Sequence, residues 1–396
     1  MAGPGSHWIG QDEVRELLEV MSSGYLFRYG GLDDPRFKHK VYSLEQEFAS
    51  RCGVRYALAT SSGSAALVCA LKAIGIGDGD EVIVPAYTFI ASYSSVIFAG
   101  GIPVLAEIDD SLSLDPADIE RRVGPRTKAV MPVHMLGNPC DLDGIGSVAK
   151  KHGLRVIEDA CQANGGSYKG RKLGGWGDMG TFSLNIFKTV TAGDGGVVVT
   201  DDEELYRTAF GFHDQGHSPL RAGVEVGGRS VLGMNFRMNE LTGAVALAQL
   251  RKIDRLIAVL REKKKRFKEA ISGLEGLKFR TLNDPEGECA TICTVIFDGP
   301  ERAALVSRRL GTTTVDRSGW HVYSNMEHFN RYLKERNLPH GKGAYPRTDS
   351  LLSRAINLSV GVVDAGLGAG FGINIDSSPR EIELAAARFR EACRGS

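Results

Sequence analysis

The chain has 396 residues, 42% hydrophobic and 24% charged, which suits an ordinary folded protein with room for a large and a small domain. Its 48 Lys and Arg balance 48 Asp and Glu, so no global charge argues for nucleic acid or an anionic membrane. No apolar stretch is long enough to span a bilayer, and the seven scattered cysteines form no Cys-x-x-Cys metal framework. Residues Met1 to Trp8 lack the basic and apolar pattern of a leader. The expectation is free, mostly buried thiols in a reducing cytoplasm and no metal site.

The first forty residues read as an N-terminal arm. From about 40 to 200, strands and helices alternate. Leu44 to Cys52 predicts a short helix, Tyr56 to Ala59 a strand, and Ser64 to Ile74 a buried helix ended by Gly75. Glu81 to Pro85 is a strand, and Ala91 to Ala99 a helix closed by Gly100 and Gly101. Strands follow at Pro103 to Ile108, Lys128 to Val133, Arg155 to Glu158, Gly180 to Leu184 and Gly196 to Thr200. Several are continuous apolar runs, as strands buried on both faces are. This rhythm predicts an α/β domain on a mostly parallel sheet over 41–255. Residues 238 to 271 predict one long helix or two in series, with Glu262-Lys-Lys-Lys-Arg266 on a solvated face. That helix leads into a smaller α+β domain over 256–396.

Chemistry concentrates in Thr181-Phe-Ser-Leu-Asn-Ile-Phe-Lys-Thr-Val-Thr-Ala-Gly-Asp-Gly-Gly196. A strand, Ser183, Lys188 and a glycine cluster put one amine at a strand's end. A desolvated lysine there loses its proton easily and can form a Schiff base with an aldehyde. About thirty residues upstream, Val156-Ile-Glu-Asp-Ala-Cys-Gln-Ala163 delivers Asp159 at the end of another apolar strand. Pyridoxal phosphate needs that pair, a lysine for its aldehyde and an Asp for its ring nitrogen. Thr60-Ser-Ser-Gly-Ser-Ala-Ala66 opens a helix, so Gly63 and Ser64 offer an anion site, although a Ser there is equally a plain N-cap. Val84-Pro-Ala-Tyr-Thr-Phe89 offers an aromatic face or ordinary core packing. Asn235 lies in Gly233-Met-Asn-Phe-Arg-Met-Asn-Glu240, where a loop or capping role also fits.

In this order and spacing, from about Tyr42 to Leu250, these segments resemble the DegT/DnrJ/EryC1/StrS family of sugar aminotransferases, a fold-type-I group using pyridoxal 5′-phosphate. The resemblance implies that Lys188 carries the cofactor, Asp159 meets its ring nitrogen, and Gln162 sits beside it. It implies Gly63, Ser64 and Ser183 at the phosphate, Phe89 stacked on the ring, and Asn235 reaching the phosphate of a neighbouring subunit. A homodimer with shared active sites follows. The implied reaction is transamination from Glu or Gln to a keto-sugar, often nucleotide-linked, or to a cyclitol ketone, in amino-sugar or secondary-metabolite biosynthesis. Tyr87, His134, His213 and His321 are candidates for touching the acceptor, each with a structural role as the alternative.

The chain also departs from the family. Asn164 stands where a His is usual, and the C-terminal third matches poorly around Ser318-Gly-Trp-His-Val-Tyr-Ser324 and Gly361 to Gly372. The glycines of the latter do not fall as Gly-x-Gly-x-x-Gly between a strand and a helix, so an active-site flap or plain loop is expected. Two other readings share the motifs. A lyase or aldolase uses the same lysine and aspartate and differs in the bond cleaved. A non-catalytic cofactor-binding regulator would usually add a basic DNA-binding segment, which this sequence is not expected to carry.

Overall fold

A computed structural model describes residues 3–31, 33–219 and 231–395. Among the described residues, nine strands precede residue 201. They are β1 (Tyr56–Thr60), β2 (Glu81–Pro85), β3 (Ile102–Ala106), β4 (Thr127–Val130), β5 (Arg155–Asp159), β6 (Ser167–Tyr168), β7 (Arg171–Lys172), β8 (Met179–Ser183) and β9 (Gly196–Thr200). Apart from the small β6–β7 hairpin, they form one sheet in the order β1-β9-β8-β5-β4-β2-β3. Only β9 runs against its neighbours, β8 and β1; the other pairs are parallel. Every residue of β8 and β9 is buried, as continuous apolar runs require when helices cover both faces. One such cover is the helix Gly63–Ala73, which packs on β8 and β9.

A second sheet holds β10 (Leu277–Phe279), β11 (Ile292–Phe297), β12 (Ala355–Ser359) and β13 (Phe371–Gly372), in that order. The first three are antiparallel and β13 is parallel to β12. The helix Pro379–Ala392 packs beside Pro300–Leu310 and Ile253–Ala270. The whole is α/β, a mostly parallel central sheet with a smaller α+β unit.

Three expectations are refined. The stretch 238–271 is two helices, Glu240–Leu250 and Ile253–Ala270. The basic run does not lie wholly in solvent. A helix turns fully in 3.6 residues, so a five-residue run must point one side chain inward, and that residue is Lys264, 5% exposed. The first forty residues hold a helix, Gln11–Ser23, that packs on Glu240–Leu250. Among the described residues, no helix is long and apolar enough to cross a membrane, and no His, Cys, Asp and Glu cluster could hold a metal ion. All seven cysteines are free and all but Cys161 are buried, as expected.

Candidate active site

Parallel strands deliver their carboxyl ends to one edge, and an open α/β sheet binds ligands there. Here that edge opens into a cavity of about 520 Å³. Asp159 ends β5, and its Oδ2 accepts a hydrogen bond from Ser92 Oγ at 2.7 Å while Oδ1 accepts from the Cys161 amide at 3.1 Å. Ser92 Oγ is in turn 2.8 Å from Thr88 Oγ1, so the carboxylate is fixed by a buried hydroxyl pair. Gln162, three residues after Asp159, accepts from the Leu136 amide through Oε1 at 3.1 Å and lines the cavity.

The loop from β1 reaches the same edge. Ser62 is the N-cap of Gly63–Ala73 and its Oγ accepts from Ala65 N at 3.1 Å, so the plain capping role belongs to Ser62. Gly63 and Ser64 are left lining the cavity, their first-turn amides without intrahelical acceptors. Gly63 is required by contact: a Cβ there would come within 2.8 Å of Ser183 Cβ. Ser183, ending β8, lines the same corner.

Lys188 follows on the loop between β8 and β9. Its amine makes no hydrogen bond or ion pair with any described residue. Burial pulls its pKa below the ordinary lysine value, opposed by Cys161 and by the carboxylates of Asp159 and Asp364. The loop is pinned from an unexpected side. The Gly3 and Gly5 amides donate to the carbonyls of Ile186 at 2.9 Å and Lys188 at 3.1 Å. A Cβ on Gly3 would lie 2.0 Å from the Phe187 carbonyl oxygen, so this close approach needs glycine. Two glycines beside a proline carried no recognisable signal for that role in the sequence.

The smaller unit closes the cavity. Phe89, 40% exposed, lies 5.3 Å from the His321 ring between centroids, and Trp320, Asp364 and Leu367 complete this wall. The glycine-rich 361–372 segment therefore contributes a wall of the site rather than a dinucleotide loop. His321 is the one predicted acceptor contact that reaches the cavity; burial holds its pKa down at about 3, so the ring is neutral.

The other three candidates do not line it. Tyr87 is fully buried, with its hydroxyl accepting from Asn357 Nδ2 at 3.4 Å. His134 is a core residue, Nε2 bonded to Glu158 at 3.0 Å and Nδ1 accepting from the Cys140 amide at 3.0 Å. His213 donates through Nδ1 to the Phe210 carbonyl at 2.6 Å and accepts from Arg28 through Nε2 at 3.2 Å. In each the polar atoms are spent on the protein itself. Asn235 is exposed and outside this cavity, its Oδ1 accepting from the Arg237 amide at 3.2 Å. Asn164, buried, keeps Nδ2 without a partner and touches Thr189 only through its carbonyl. Ser92 also belongs to the site and carried no motif; Asn185, Trp320 and Asp364 lie in segments that the sequence drew attention to without marking those residues.

Sheet order and cavity define the pyridoxal-phosphate transferase fold of type I. A model of the DegT/DnrJ/EryC1/StrS aminotransferase family matches residues 9–363, and the chain belongs to that family. It is 44% identical to GDP-perosamine synthase of Caulobacter vibrioides over 61% of this chain and 62% of that protein, less than two thirds of the relative's length. It is 35% identical to spore coat polysaccharide biosynthesis protein SpsC of Bacillus subtilis, over 87% of this chain and 90% of that one. Among solved structures, the aminotransferase from Psychrobacter cryohalolentis superposes with a TM-score of 0.81 at 28% identity, covering 97% of this chain and 96% of that one.

Proposed function

We propose that the protein is a pyridoxal 5′-phosphate-dependent aminotransferase that moves an amino group from Glu or Gln to a keto-sugar, nucleotide-linked or free, or to a cyclitol ketone. The observation that carries this reading is Lys188: a desolvated amine with no protein partner, sharing one cavity with the fixed carboxylate of Asp159. The residues fit the cofactor. Lys188 would hold its aldehyde, Asp159 its ring nitrogen, Phe89 its face, and Gly63, Ser64 and Ser183 its phosphate, with Gln162 beside the ring. The approach of Gly63 to Ser183 supports a tight phosphate corner.

When bound, the cofactor supplies an electron sink for the carbanion formed at the donor carbon. The chain's own residues do the rest. Lys188, its pKa lowered by burial, takes a proton from the donor carbon and returns it at the acceptor carbon. Asp159, held by Ser92 and the Cys161 amide, keeps a negative charge at one spot without rearrangement. Phe89, Trp320 and Leu367 line the cavity with apolar surface and exclude water.

The exposed Asn235, flanked by exposed Leu232 and Met234, supports a homodimer in which this loop serves the partner's site. Seven free cysteines support a reducing, cytoplasmic setting. The test is borohydride reduction of the loaded protein followed by peptide mapping, which should find the pyridoxyl mass on Lys188. Glu or Gln alone should release its 2-oxo acid before any acceptor is added. A pyridoxyl mass on another lysine would overturn the assignment. For the dimer, chains carrying Lys188→Ala mixed with chains carrying Asn235→Ala should regain part of the activity in mixed dimers; no rescue rules out shared sites.

A further inference from the structure

Three successive carbonyls in the large unit are bonded to the smaller one. The turn Met135–Gly137 follows β4, and its carbonyls accept in order from Arg280 Nη1 at 3.0 Å, Arg280 Nη2 at 2.9 Å and the Cys289 amide at 2.8 Å. Thr291 Oγ1 adds a longer bond to the Leu136 carbonyl at 3.4 Å. Arg280 is 4% exposed, and its Nε has no partner among the described residues. A buried guanidinium is ordinarily paired with a carboxylate, because a buried charge without its partner is costly. This one is spent on two neighbouring backbone carbonyls.

The turn needs holding. Leu136 lies at φ 56° and ψ 33°, the left-handed region that a bulky side chain enters only at a cost. Its amide donates to Gln162 Oε1 at 3.1 Å, and both residues line the cavity. The segment just before it meets Asp159: the Asp159 amide donates to the Pro132 carbonyl at 2.9 Å, and the His134 amide donates to the Asp159 carbonyl at 3.0 Å. One short stretch of chain thus touches both cofactor-facing residues of the β5 loop. Asp159 is held by β5 and by Ser92 as well. Gln162 lies three residues beyond the strand, where the direction of the Leu136 amide decides its own. A return of Leu136 to ordinary backbone angles would swing that amide and the Leu136 carbonyl together, away from Gln162 and Arg280.

We propose that Arg280 is a positioning residue: it clamps the Met135 and Leu136 carbonyls, keeps Leu136 left-handed, and so aims Gln162 at the cofactor. Arg280 does not line the cavity itself and acts through the turn. The smaller unit thereby sets a contact on the large unit's side of the site. This rests on the pyridoxal-phosphate reading and assigns a residue that the reading does not include.

The experiment compares the full chain with Arg280→Met, Arg280→Lys, Leu136→Gly and Gln162→Ala, and combines Arg280→Met with each of the last two. Hydrogen exchange is measured first, without cofactor. Arg280→Met should speed exchange of the Leu136 amide by at least about tenfold relative to the amides of β8 and β9, which report global stability. Pyridoxal phosphate is then titrated, and its dissociation constant and the pH midpoint of its visible band are read. Arg280→Met should weaken binding about five- to tenfold and move the midpoint in the same direction as Gln162→Ala does. In the Gln162→Ala background it should change neither, which separates positioning from a general loss of stability. In the Leu136→Gly background, where glycine takes the left-handed backbone freely, its effect should fall below about twofold. Arg280→Lys keeps the charge without the fork that spans two carbonyls; it should lie between, and it carries the test if the Met variant does not fold. A parent chain that takes up no pyridoxal phosphate sinks the cofactor reading and leaves the exchange measurement to decide the clamp. Unchanged relative exchange at Leu136, or effects of Arg280→Met and Gln162→Ala that simply add, would overturn the proposal.

Discussion

Two lysines in this molecule are both pulled down in pKa by burial and are placed to do different things. Burial pulls the pKa of both Lys188 and Lys264 below the ordinary lysine value. Lys264, in the smaller unit's core, has Glu288 bonded directly to its amine, with Glu288 itself 6% exposed. Lys188 has no such partner and opens onto a cavity shared with Asp159. A depressed lysine pKa is therefore no sign of function by itself. What distinguishes the site is an amine whose hydrogen bonds the protein leaves unmade, since a buried polar group is otherwise paired. The same contrast sorts the histidines: His134 and His213 have both nitrogens engaged, and His321 keeps one free.

This comparison can be broken most directly at the lysines. Lys188→Ala should cut turnover by at least about a thousandfold while leaving the melting temperature within a few degrees, because it removes chemistry and no native bond. Measured activity above a few per cent would make the two lysines alike. Lys264→Met should do the reverse. It strands the buried Glu288 carboxylate and should cost about 3–5 kcal/mol in urea unfolding, with kcat per folded molecule unchanged. Adding Glu288→Leu should restore most of that stability, since the cost comes from the orphaned charge. If the double variant is no more stable than the single, the pair is doing more than neutralising itself.

Asp159→Asn sharpens the contrast on the catalytic side. Ser92 and the Cys161 amide still hold the side chain, so folding should survive while turnover falls by about 10²–10³. The last effect, modest within any one pH unit, concerns a structural histidine. His213, held at a pKa of about 3 against 6.5 for a free imidazole, refuses a proton that the unfolded chain accepts. Stability should thus be lost as pH falls from about 6.5 toward 3, by about 1.4 kcal/mol per pH unit at most for this group. His213→Gln should flatten that slope in denaturation curves taken across the range. An unchanged slope would show that His213 is not the titrating group.

Much of the fold was legible from local pattern. Continuous apolar runs located β1, β2, β3, β5, β8 and β9 within a residue or two, and the run at 128–133 extends beyond β4 because Met131 still donates to the Ile83 carbonyl and Val133 bridges to Asp159 past the strand's end. The placement of Asp159 and Ser183 was also legible, because each ends a strand where an α/β sheet places its ligands, with Lys188 five residues on in the loop after β8. The basic run failed in one residue, Lys264, because charge pattern reports average exposure and says nothing of a partner such as Glu288, 24 residues away in sequence. Tyr87 and the histidines His134 and His213 failed for a related reason: a residue type suited to polar contact looks the same whether its bonds go to a substrate or to the protein.

The sequence by itself determined the α/β class, the order of strands and helices, the cofactor motif set and the family. These depend on periodicity and on short stretches of contiguous residues, where local physics acts. Only the tertiary structure decided which amine stays unpaired, that Gly3 and Gly5 brace the Lys188 loop, and that Trp320, His321 and Asp364 form the wall opposite it. Those outcomes depend on distances between segments far apart in the chain, and one sequence carries no record of such distances until the chain has packed.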